Sequence, residues 1–262
     1  MVRRPLGNHH DGPDTLLVTS DAKRTEPVAA QTENLRDLIG PARVVLWDFD
    51  GPICRLFAGH KAERVANDLV AWLEVRGLHG LLSGAERDTA DPHAVLRAVD
   101  RRHAGSDLVA ELEERLTQEE LRAVPSAWPT PYADALIQTW TAVGARPAIV
   151  TNNSPHVVRT YLADRGLLGC FLPHIYGRTH ELQYLKPHPH YLNRALRTMG
   201  VAPADALFIG DAPTDWQAAH EAGVPFLGYA RNERKEKLLR DAGASHAVSS
   251  LLPVLEVIRG EG

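Results

Sequence analysis

The stretch RVVLWDFDGPI, residues 43–53, places two aspartates directly after a run of apolar residues. The run VVLW (44–47) has no alternating polar residue, which is typical of a strand buried on both faces of a parallel sheet. Asp48 and Asp50 follow one residue apart, where this strand ends. Like charges at that spacing repel each other, so we expect a positive charge nearby that compensates for them.

Three further apolar runs follow, separated by helical patterns. The runs are RPAIVTNN (146–153), ADALFIGD (204–211) and VPFLGY (224–229). The helical patterns lie at roughly 154–165, 188–199, 213–222 and 232–241. An edge strand at 246–248 and a closing helix at 249–259 complete the series. Alternating strands and helices predict an α/β fold, with a parallel sheet and helices on both of its faces.

Residues 55 to about 130 interrupt this alternation with helical patterns alone. The patterns lie at 60–77, 91–105 and 106–124, and the proline-rich VPSAWPTP at 124–131 is typical of a return linker. The sequence therefore predicts three parts. They are a flexible N-terminal extension at 1–30, an all-helical insertion at 55–130, and a core formed by 31–54 and 131–262, which opens with a short helix at Thr32–Ile39.

The composition is that of an ordinary globular protein. Of 262 residues, 44% are hydrophobic, and 29 Lys and Arg against 33 Asp and Glu give a pI near 6.3. Without a basic field we expect no nucleic acid and no membrane as partner. No apolar stretch approaches the roughly 18 residues that cross a bilayer, and the chain starts without a secretory signal. The two cysteines, Cys54 and Cys170, exclude a disulfide framework, so we expect a cytoplasmic protein.

Polar side chains follow three of the predicted strands at the point where each strand ends. In a parallel α/β sheet these ends meet at one edge, where ligands bind. The side chains are Asp48 and Asp50 after the first strand, Thr151 and Asn152 after the second, Asp211 after the third with Asp215 one turn into its helix, and Lys186 in YLKPHP. We expect carboxylates, a hydroxyl and an ammonium group to face one crevice.

Electrostatics favours a metal ion in that crevice. Two unit negative charges about 3 Å apart repel by ~5 kcal/mol at an effective dielectric constant near 20, and a phosphate dianion approaching a carboxylate meets roughly twice that. A hard divalent cation offsets the repulsion, and Mg²⁺ takes only one or two protein carboxylates together with a substrate oxygen. The sequence therefore predicts a Mg²⁺ site that handles phosphate, with Asp48 and Asp211 as ligands.

Four motifs in this order resemble those of the haloacid dehalogenase superfamily of phosphohydrolases, and within it the phosphoglycolate-phosphatase-like members. The motifs are DFDGP (48–52), IVTNN (149–153), LKP (185–187) and GDAPTD (210–215). The resemblance covers residues from about 40 to 259. It implies a Rossmann-like, doubly wound core, a helical cap inserted after the first motif, and Mg²⁺-dependent hydrolysis of a small-molecule phosphate ester.

The resemblance also implies a role for each acid of the first motif. Asp48 is the nucleophile that takes the phosphoryl group as an aspartyl-phosphate. Asp50 protonates the leaving oxygen and later takes a proton from the hydrolytic water, while its backbone carbonyl joins the metal shell with Asp48 and Asp211. The adjacent charges of the opening stretch thereby divide nucleophile from general acid and base.

The other motif residues contact the substrate or support the metal. By the same resemblance, Thr151 donates its hydroxyl to the phosphoryl oxygens, and Lys186 neutralises charge on the nucleophile and on the transferring group. Gly51 and Asn152 are assigned to substrate binding. Asp215 is expected to support the residues that bind the metal without binding the metal itself. The chain departs from the family at Pro52, where Thr or Val is usual, so we expect a stiffer or differently aimed segment after the first strand.

Simpler interpretations exist for these residues. Aspartate before glycine is common in turns that end strands, and Thr151 and Asp211 also suit helix caps. The histidines at 174, 180, 188 and 190 lack a zinc spacing and are predicted to be surface residues. Three other functions are alternatives: a phosphomutase of the same architecture, a dehalogenase and a non-catalytic binding module. A dehalogenase needs no general acid, because halide leaves unprotonated, so the presence of Asp50 argues against that function. The oligomeric state is open between monomer and homodimer.

Overall fold

The computed structural model describes residues 28–260. Most of the N-terminal extension predicted at 1–30 therefore lies outside the described residues. The first described helix is Val28–Ile39, four residues longer at its start than the predicted Thr32–Ile39. No helix within 28–260 has both the length and the apolar character needed to cross a membrane.

The predicted α/β fold with a parallel sheet is confirmed. The strands of the described chain are β1 (Val44–Trp47), β2 (Cys54–Arg55), β3 (Trp128–Pro129), β4 (Arg146–Val150), β5 (Ile175–Tyr176), β6 (Ala206–Gly210), β7 (Phe226–Tyr229) and β8 (Ala247–Val248). A six-stranded sheet has the order β5-β4-β1-β6-β7-β8, and all of its neighbouring strands pair in parallel. The last residue of β1, Trp47, pairs with Ile149 on one side and Ile209 on the other. The carboxyl ends of β1, β4 and β6 thus meet at one edge.

Helices cover both faces of this sheet. The α-helices of the described chain are α1 (Val28–Ile39), α2 (Ala62–Val75), α3 (Gly84–Arg87), α4 (Pro92–His103), α5 (Asp107–Ala123), α6 (Ala133–Ala142), α7 (Pro155–Asp164), α8 (Leu168–Phe171), α9 (His190–Met199), α10 (Pro213–Ala222), α11 (Glu233–Ala242) and α12 (Leu252–Arg259). Apolar side chains of α1, α6, α7 and α12 form one core with one face of the sheet. Those of α9, α10 and α11 form a second core on the other face.

The apolar run of β1 supplies both cores. Val45 and Trp47 point into the first, and Val44 and Leu46 point into the second. Alternate residues of a strand face opposite sides of its sheet, and both sides are covered here. All four side chains are therefore fully buried. Burying a side chain of this size contributes roughly 1.5–3 kcal/mol. This is why the sequence here is continuously apolar.

Capping residues in the sequence set several helix boundaries. The side chain of Asp91 accepts a hydrogen bond from the His93 amide at the start of α4, with Pro92 in the first turn. Ser106 caps α5 in the same manner, and Ser154 caps α7. A side-chain oxygen in this position satisfies an amide that the helix itself leaves unpaired.

The helices between β2 and β3 form a third core of their own. Its members come mainly from α2, α4 and α5, and it also takes in Leu182 and Leu185 from the segment after β5. The chain leaves and re-enters the sheet through β2 and β3, which pair antiparallel to each other. The hydroxyl of Thr130 donates to the carbonyl of Gly51 at 2.6 Å, which fixes the returning chain beside the end of β1. The helical insertion therefore packs over the carboxyl edge of the sheet on a short two-stranded ribbon.

Candidate active site

A cavity of about 560 Å³ lies at the carboxyl edge of the sheet. The residues that the sequence assigned to the site all line it: Asp48, Asp50, Gly51, Thr151, Asn152, Lys186, Asp211 and Asp215. Helical-insertion residues, among them Lys61, His93 and Arg97, form the opposite wall. The fold thus brings side chains from four distant segments into one space.

Three buried carboxylates form the floor of the cavity. Asp48, Asp211 and Asp215 each offer an oxygen atom within 4.8 Å of the others. Burial, followed by repulsion from Asp215, raises the pKa of Asp48 to about 7. Burial also raises the pKa of Asp211 above its ordinary value, against the attraction of Lys235. A set of hard oxygen donors whose negative charge exceeds that of the neighbouring cations fits Mg²⁺.

Lys186 is the buried cation of this floor. Its Nζ lies 2.7 Å from Oδ1 of Asp48 and 2.6 Å from Oδ1 of Asp215, and it donates to the carbonyl of Val150 at 3.2 Å. Burial lowers the pKa of the ammonium, but Asp215 and Asp48 raise it more, so the net pKa lies above its ordinary value. Lys186 is therefore a permanent positive charge against the side chain of Asp48.

Asp215 uses both of its carboxylate oxygens inside the protein. Oδ1 faces Lys186, and Oδ2 accepts the amides of Asp211 at 2.9 Å and Ala212 at 3.0 Å. A Cβ on Gly210 would lie 2.5 Å from the Cβ of Asp215, so the close approach of strand and helix requires glycine there. These contacts hold the loop after β6 and leave Asp215 in a supporting position.

Asp50 lies beside Asp48 and is tied to the ribbon. Its Oδ1 accepts the amide of Leu56 at 2.9 Å. Burial, followed by repulsion from Asp211, raises its pKa to about 6. The next residue, Gly51, has φ +131°, and a Cβ there would lie 2.3 Å from Cγ of Asp211. Glycine is thus needed for the loops after β1 and β6 to meet.

Thr151 and Asn152 end β4 at the cavity. The hydroxyl of Thr151 donates to Oδ1 of Asn153 at 3.0 Å and accepts from the Asn153 amide at 3.2 Å. The side-chain amide of Asn152 accepts from the backbone N–H of Lys186 at 2.8 Å and donates to its carbonyl at 3.2 Å. Asn152 therefore holds the loop that carries Lys186, and its predicted part in substrate binding stays a prediction.

Sequence reasoning missed Lys235, a second cation of the site. Its Nζ lies 2.7 Å from Oδ2 of Asp211 and 3.2 Å from the carbonyl of the same residue. The side chain comes from the first turn of α11, whose start is set by the side chain of Asn232. The helix sequence NERKEKLLRDAG is dominated by charge, so nothing in it distinguishes Lys235 from its solvated neighbours.

Sequence reasoning also missed a buried ionic cluster behind Thr151. Arg178 follows β5 and pairs with Glu113 and Glu120 of α5, each at 2.8 Å. His93 of α4 lies 3.2 Å from the same carboxylate of Glu120. Burial raises the pKa of Glu120, but Arg178 and His93 lower it more, to about 2. The cluster is therefore a charged connection between the helical insertion and the core.

The rim of the cavity carries three further cations. Arg55, Lys61 and Arg231 line it, and none of them pairs with a carboxylate in the part of the chain that the structure describes. Arg55 lies over the ring of Trp128 at 5.1 Å from its centroid. Glu63 and Asp91 line the cavity as well, so the lining away from the floor carries both signs of charge with cations in excess, whereas the floor is negative.

The family model of haloacid dehalogenase-like hydrolases matches residues 42–223, which is more than half of the chain. Phosphoglycolate phosphatase of Thiobacillus denitrificans is 36% identical over 110 residues, which are 40% of this chain and 48% of that protein. Phosphoglycolate phosphatase of Escherichia coli K12 is 32% identical over 123 residues, 46% of this chain and 48% of that protein. The chain thus spans about half the length of the curated relatives it matches.

Solved structures share the fold. A HAD-superfamily hydrolase of subfamily IA from Geobacter sulfurreducens superposes with a TM-score of 0.53 at 20% identity, over 85% of this chain and 97% of that chain. CbbY from Rhodobacter sphaeroides, solved in complex with phosphate, gives a TM-score of 0.57 at 22% identity, over 80% of this chain and 94% of that chain. At these identities the likeness establishes the architecture alone.

Proposed function

Since the chain belongs to the haloacid dehalogenase-like hydrolase family, we propose that it is a Mg²⁺-dependent phosphatase that hydrolyses a small phosphomonoester. The observation that carries the proposal is the contact of Lys186 with Asp48, in a cavity that Asp50 and Asp211 also line. A nucleophile held by a buried cation, with a second carboxyl group beside it, suits phosphoryl transfer. The curated relatives that carry the name phosphatase support the same reaction class.

In the first half-reaction, an oxygen of Asp48 attacks phosphorus while the bond from phosphorus to the leaving oxygen breaks. Because Lys186 holds Oδ1 of Asp48, the proposal assigns the attack to Oδ2. Asp50 gives its proton to the leaving oxygen. Its pKa of about 6 keeps a useful fraction protonated near neutral pH.

In the second half-reaction, water attacks the aspartyl-phosphate and Asp50 takes the proton from that water. The bond between phosphorus and Asp48 breaks, and inorganic phosphate leaves. Thr151 and Lys186 line the cavity from β4 and from the loop before α9, where they contact the phosphoryl oxygens in this proposal. Gly51 lets the carboxylate of Asp211 lie against the loop after β1 in this cavity.

The metal site consists of the carboxylates of Asp48 and Asp211 with the backbone carbonyl of Asp50. Four floor carboxylates, counting Asp50, face the two ammonium groups of Lys186 and Lys235, so negative charge is in excess. When bound, Mg²⁺ neutralises that excess and polarises the phosphoryl group. Asp215 supports the shell through its hold on the amide of Asp211.

The substrate is a small phosphate ester with a second anionic group. The curated relatives are named for phosphoglycolate, which carries a carboxylate besides its phosphate. The unpaired rim cations Arg55, Lys61 and Arg231 suit such a group. The helical insertion at 55–130 forms the cap that encloses it and excludes bulk water. The free thiols of Cys54 and Cys170 favour a reducing, cytoplasmic location.

The test is phosphate release from a panel of phosphate esters with and without a second acid group, in Mg²⁺ or in chelator. We expect release only with Mg²⁺, fastest for the esters with a second acid group, and a loss of at least about 10³-fold in Asp48→Asn. Asp241→Asn, on the exposed face of α11, is the matched control and keeps full activity. Equal rates in Asp48→Asn and in wild type would end the proposal. A phosphomutase would instead need a bisphosphate activator and release little phosphate.

A further inference from the structure

A carboxylate of the helical insertion holds the core loop that follows β4. Glu120 of α5 is fully buried. Its Oε1 accepts the side-chain amide of Asn153 at 2.9 Å, and its Oε2 accepts the backbone N–H of Ser154 at 3.1 Å. These contacts span more than thirty residues of sequence and join the insertion to the loop that carries Thr151.

Arg178 makes the buried charge of Glu120 tolerable. The guanidinium donates to both oxygens of Glu120, at 2.8 and 2.9 Å, in a bidentate pair. It also donates to Glu113 at 2.8 Å, to the hydroxyl of Thr117 at 2.8 Å and to the carbonyl of Asn152 at 3.0 Å. A buried ion pair persists when its remaining donors and acceptors are satisfied, as they are here.

The same contacts determine how the Asn153 side chain is oriented. A carboxylate only accepts hydrogen bonds, so the amide nitrogen of Asn153 faces Glu120 and Oδ1 faces the other way. Oδ1 then accepts from the hydroxyl of Thr151 at 3.0 Å. Thr151 is fully buried and Asn153 is 2% exposed, so water does not compete for these hydrogen bonds.

We propose that Glu120 and Arg178 are positioning residues that act through Asn153 to fix the side-chain rotamer of Thr151. Oδ1 of Asn153 accepts the hydroxyl proton in the free protein, and that proton turns to a phosphoryl oxygen when substrate binds, while the backbone N–H of Asn153 still donates to the hydroxyl oxygen. The inference rests on the proposed function, in which that hydroxyl touches the phosphoryl oxygens. The helical insertion then does more than enclose the substrate. Its α5 helix completes the phosphate-binding wall of the core, and a core without it has a disordered Thr151 rotamer.

Glu113 provides the matched comparison. It lies two turns before Glu120 on α5, it pairs with the same guanidinium, and it makes no hydrogen bond to the loop after β4 within the described residues. Glu113→Gln and Glu120→Gln therefore remove equivalent charges from one buried cluster. Only Glu120→Gln disturbs the series of hydrogen bonds that runs from Glu120 through Asn153 to Thr151.

The experiment compares these two variants by steady-state kinetics and by calorimetric binding of inorganic phosphate in Mg²⁺. We expect Glu120→Gln to lower kcat about 10- to 100-fold and to weaken phosphate binding, because a slightly misplaced contact is costly in a transition state. Glu113→Gln keeps kcat within about twofold, whatever its melting temperature. Equal losses of kcat in the two variants, or no loss in either, would overturn the inference.

Asn153→Ala keeps the inference testable if Glu120→Gln does not fold, because it leaves the pair of Glu120 and Arg178 intact. It should reproduce the loss of kcat, and its effect should not add to that of Thr151→Ala. An unchanged kcat in Asn153→Ala, or additive effects of the two variants, contradicts the proposal that Glu120 acts on Thr151 through Asn153. If the wild type turns over no phosphate ester, the proposed function fails, and the phosphate affinities of the variants still decide the positioning role.

Discussion

The Nζ atom of Lys186 lies 2.7 Å from Oδ1 of Asp48. The same ammonium lies 2.6 Å from Asp215, so one buried lysine serves both the candidate nucleophile and the residue that supports the loop after β6. Burial raises the pKa of Asp48, and Lys186 opposes that rise. The lysine therefore fixes the position of the nucleophile and also its charge.

Replacing this lysine should affect both activity and stability. We expect Lys186→Met to lower kcat about 10²- to 10³-fold, the usual effect of removing one preorganised donor. The metal-free variant should also melt at a lower temperature, because Asp48 and Asp215 lose their counterion, and Mg²⁺ should restore part of the loss. Kinetics and thermal unfolding with and without Mg²⁺ check this, with the exposed Lys237→Met as control. An unchanged kcat in Lys186→Met would contradict the role given to Lys186.

Removing Lys235 should tighten metal binding. Its ammonium lies 2.7 Å from Oδ2 of Asp211, a proposed metal ligand, and so repels a cation bound there. We expect Lys235→Met to bind Mg²⁺ roughly tenfold or more tightly, since a unit charge about 5 Å from a divalent ion costs more than ~1 kcal/mol even in water. Calorimetric titration of Mg²⁺ measures this directly. Lys237→Met, from the same helix, should bind Mg²⁺ as the wild type does, and weaker binding in Lys235→Met would refute the repulsion.

A methyl group at Gly51 should disrupt the floor of the cavity. Gly51→Ala places a Cβ 2.3 Å from Cγ of Asp211 at a φ of +131°. We expect a loss of about 1–3 kcal/mol in the free energy of unfolding together with weaker Mg²⁺ binding. Gly80→Ala is the control, because nothing lies within 4 Å of a Cβ there. Denaturant unfolding and metal titration of both variants test the prediction, which fails if the two behave alike.

Stability of the metal-free protein should fall as pH rises toward neutrality. Burial raises the pKa of Asp48 to about 7 and that of Asp50 to about 6, whereas both start from 3.8 in the unfolded chain. Between these values the folded state binds more protons than the unfolded state, so the free energy of unfolding decreases with pH. We expect this decline between about pH 4 and about pH 7, and a shallower one in Asp50→Asn. Urea unfolding in chelator measures both slopes, and identical slopes would contradict the raised pKa of Asp50.

The sequence indicates the sheet and the floor of the cavity because both depend on local pattern. The apolar runs of β1, β4, β6 and β7 predict buried parallel strands, and polar residues that follow such strands must converge. β5, at Ile175–Tyr176, is only two residues long, so it has no period to detect. The ribbon formed by Cys54–Arg55 and Trp128–Pro129 is equally short, and its pairing depends on the whole insertion.

The missed residues share a physical reason. Glu113 and Glu120 occupy a helix whose sequence, ELEERLTQEELR, carries acids all along it, and most such acids are solvated. Their burial depends on Arg178, which lies about sixty residues further along the chain. Lys235 likewise lies in a charged helix and reaches Asp211 through space alone. Long-range pairing of charges leaves no periodic signal in a single sequence.

The ribbon of β2 and β3 makes the exit and the return of the chain immediate neighbours. The helical insertion between β2 and β3 can therefore be replaced as one unit in evolution without shifting the register of the sheet that carries the active site. Such a replacement would alter which substrates the enzyme selects. One condition limits that exchange. A replacement insertion must bring an acid to the position of Glu120, since the core would otherwise keep Arg178 as a buried charge without this partner.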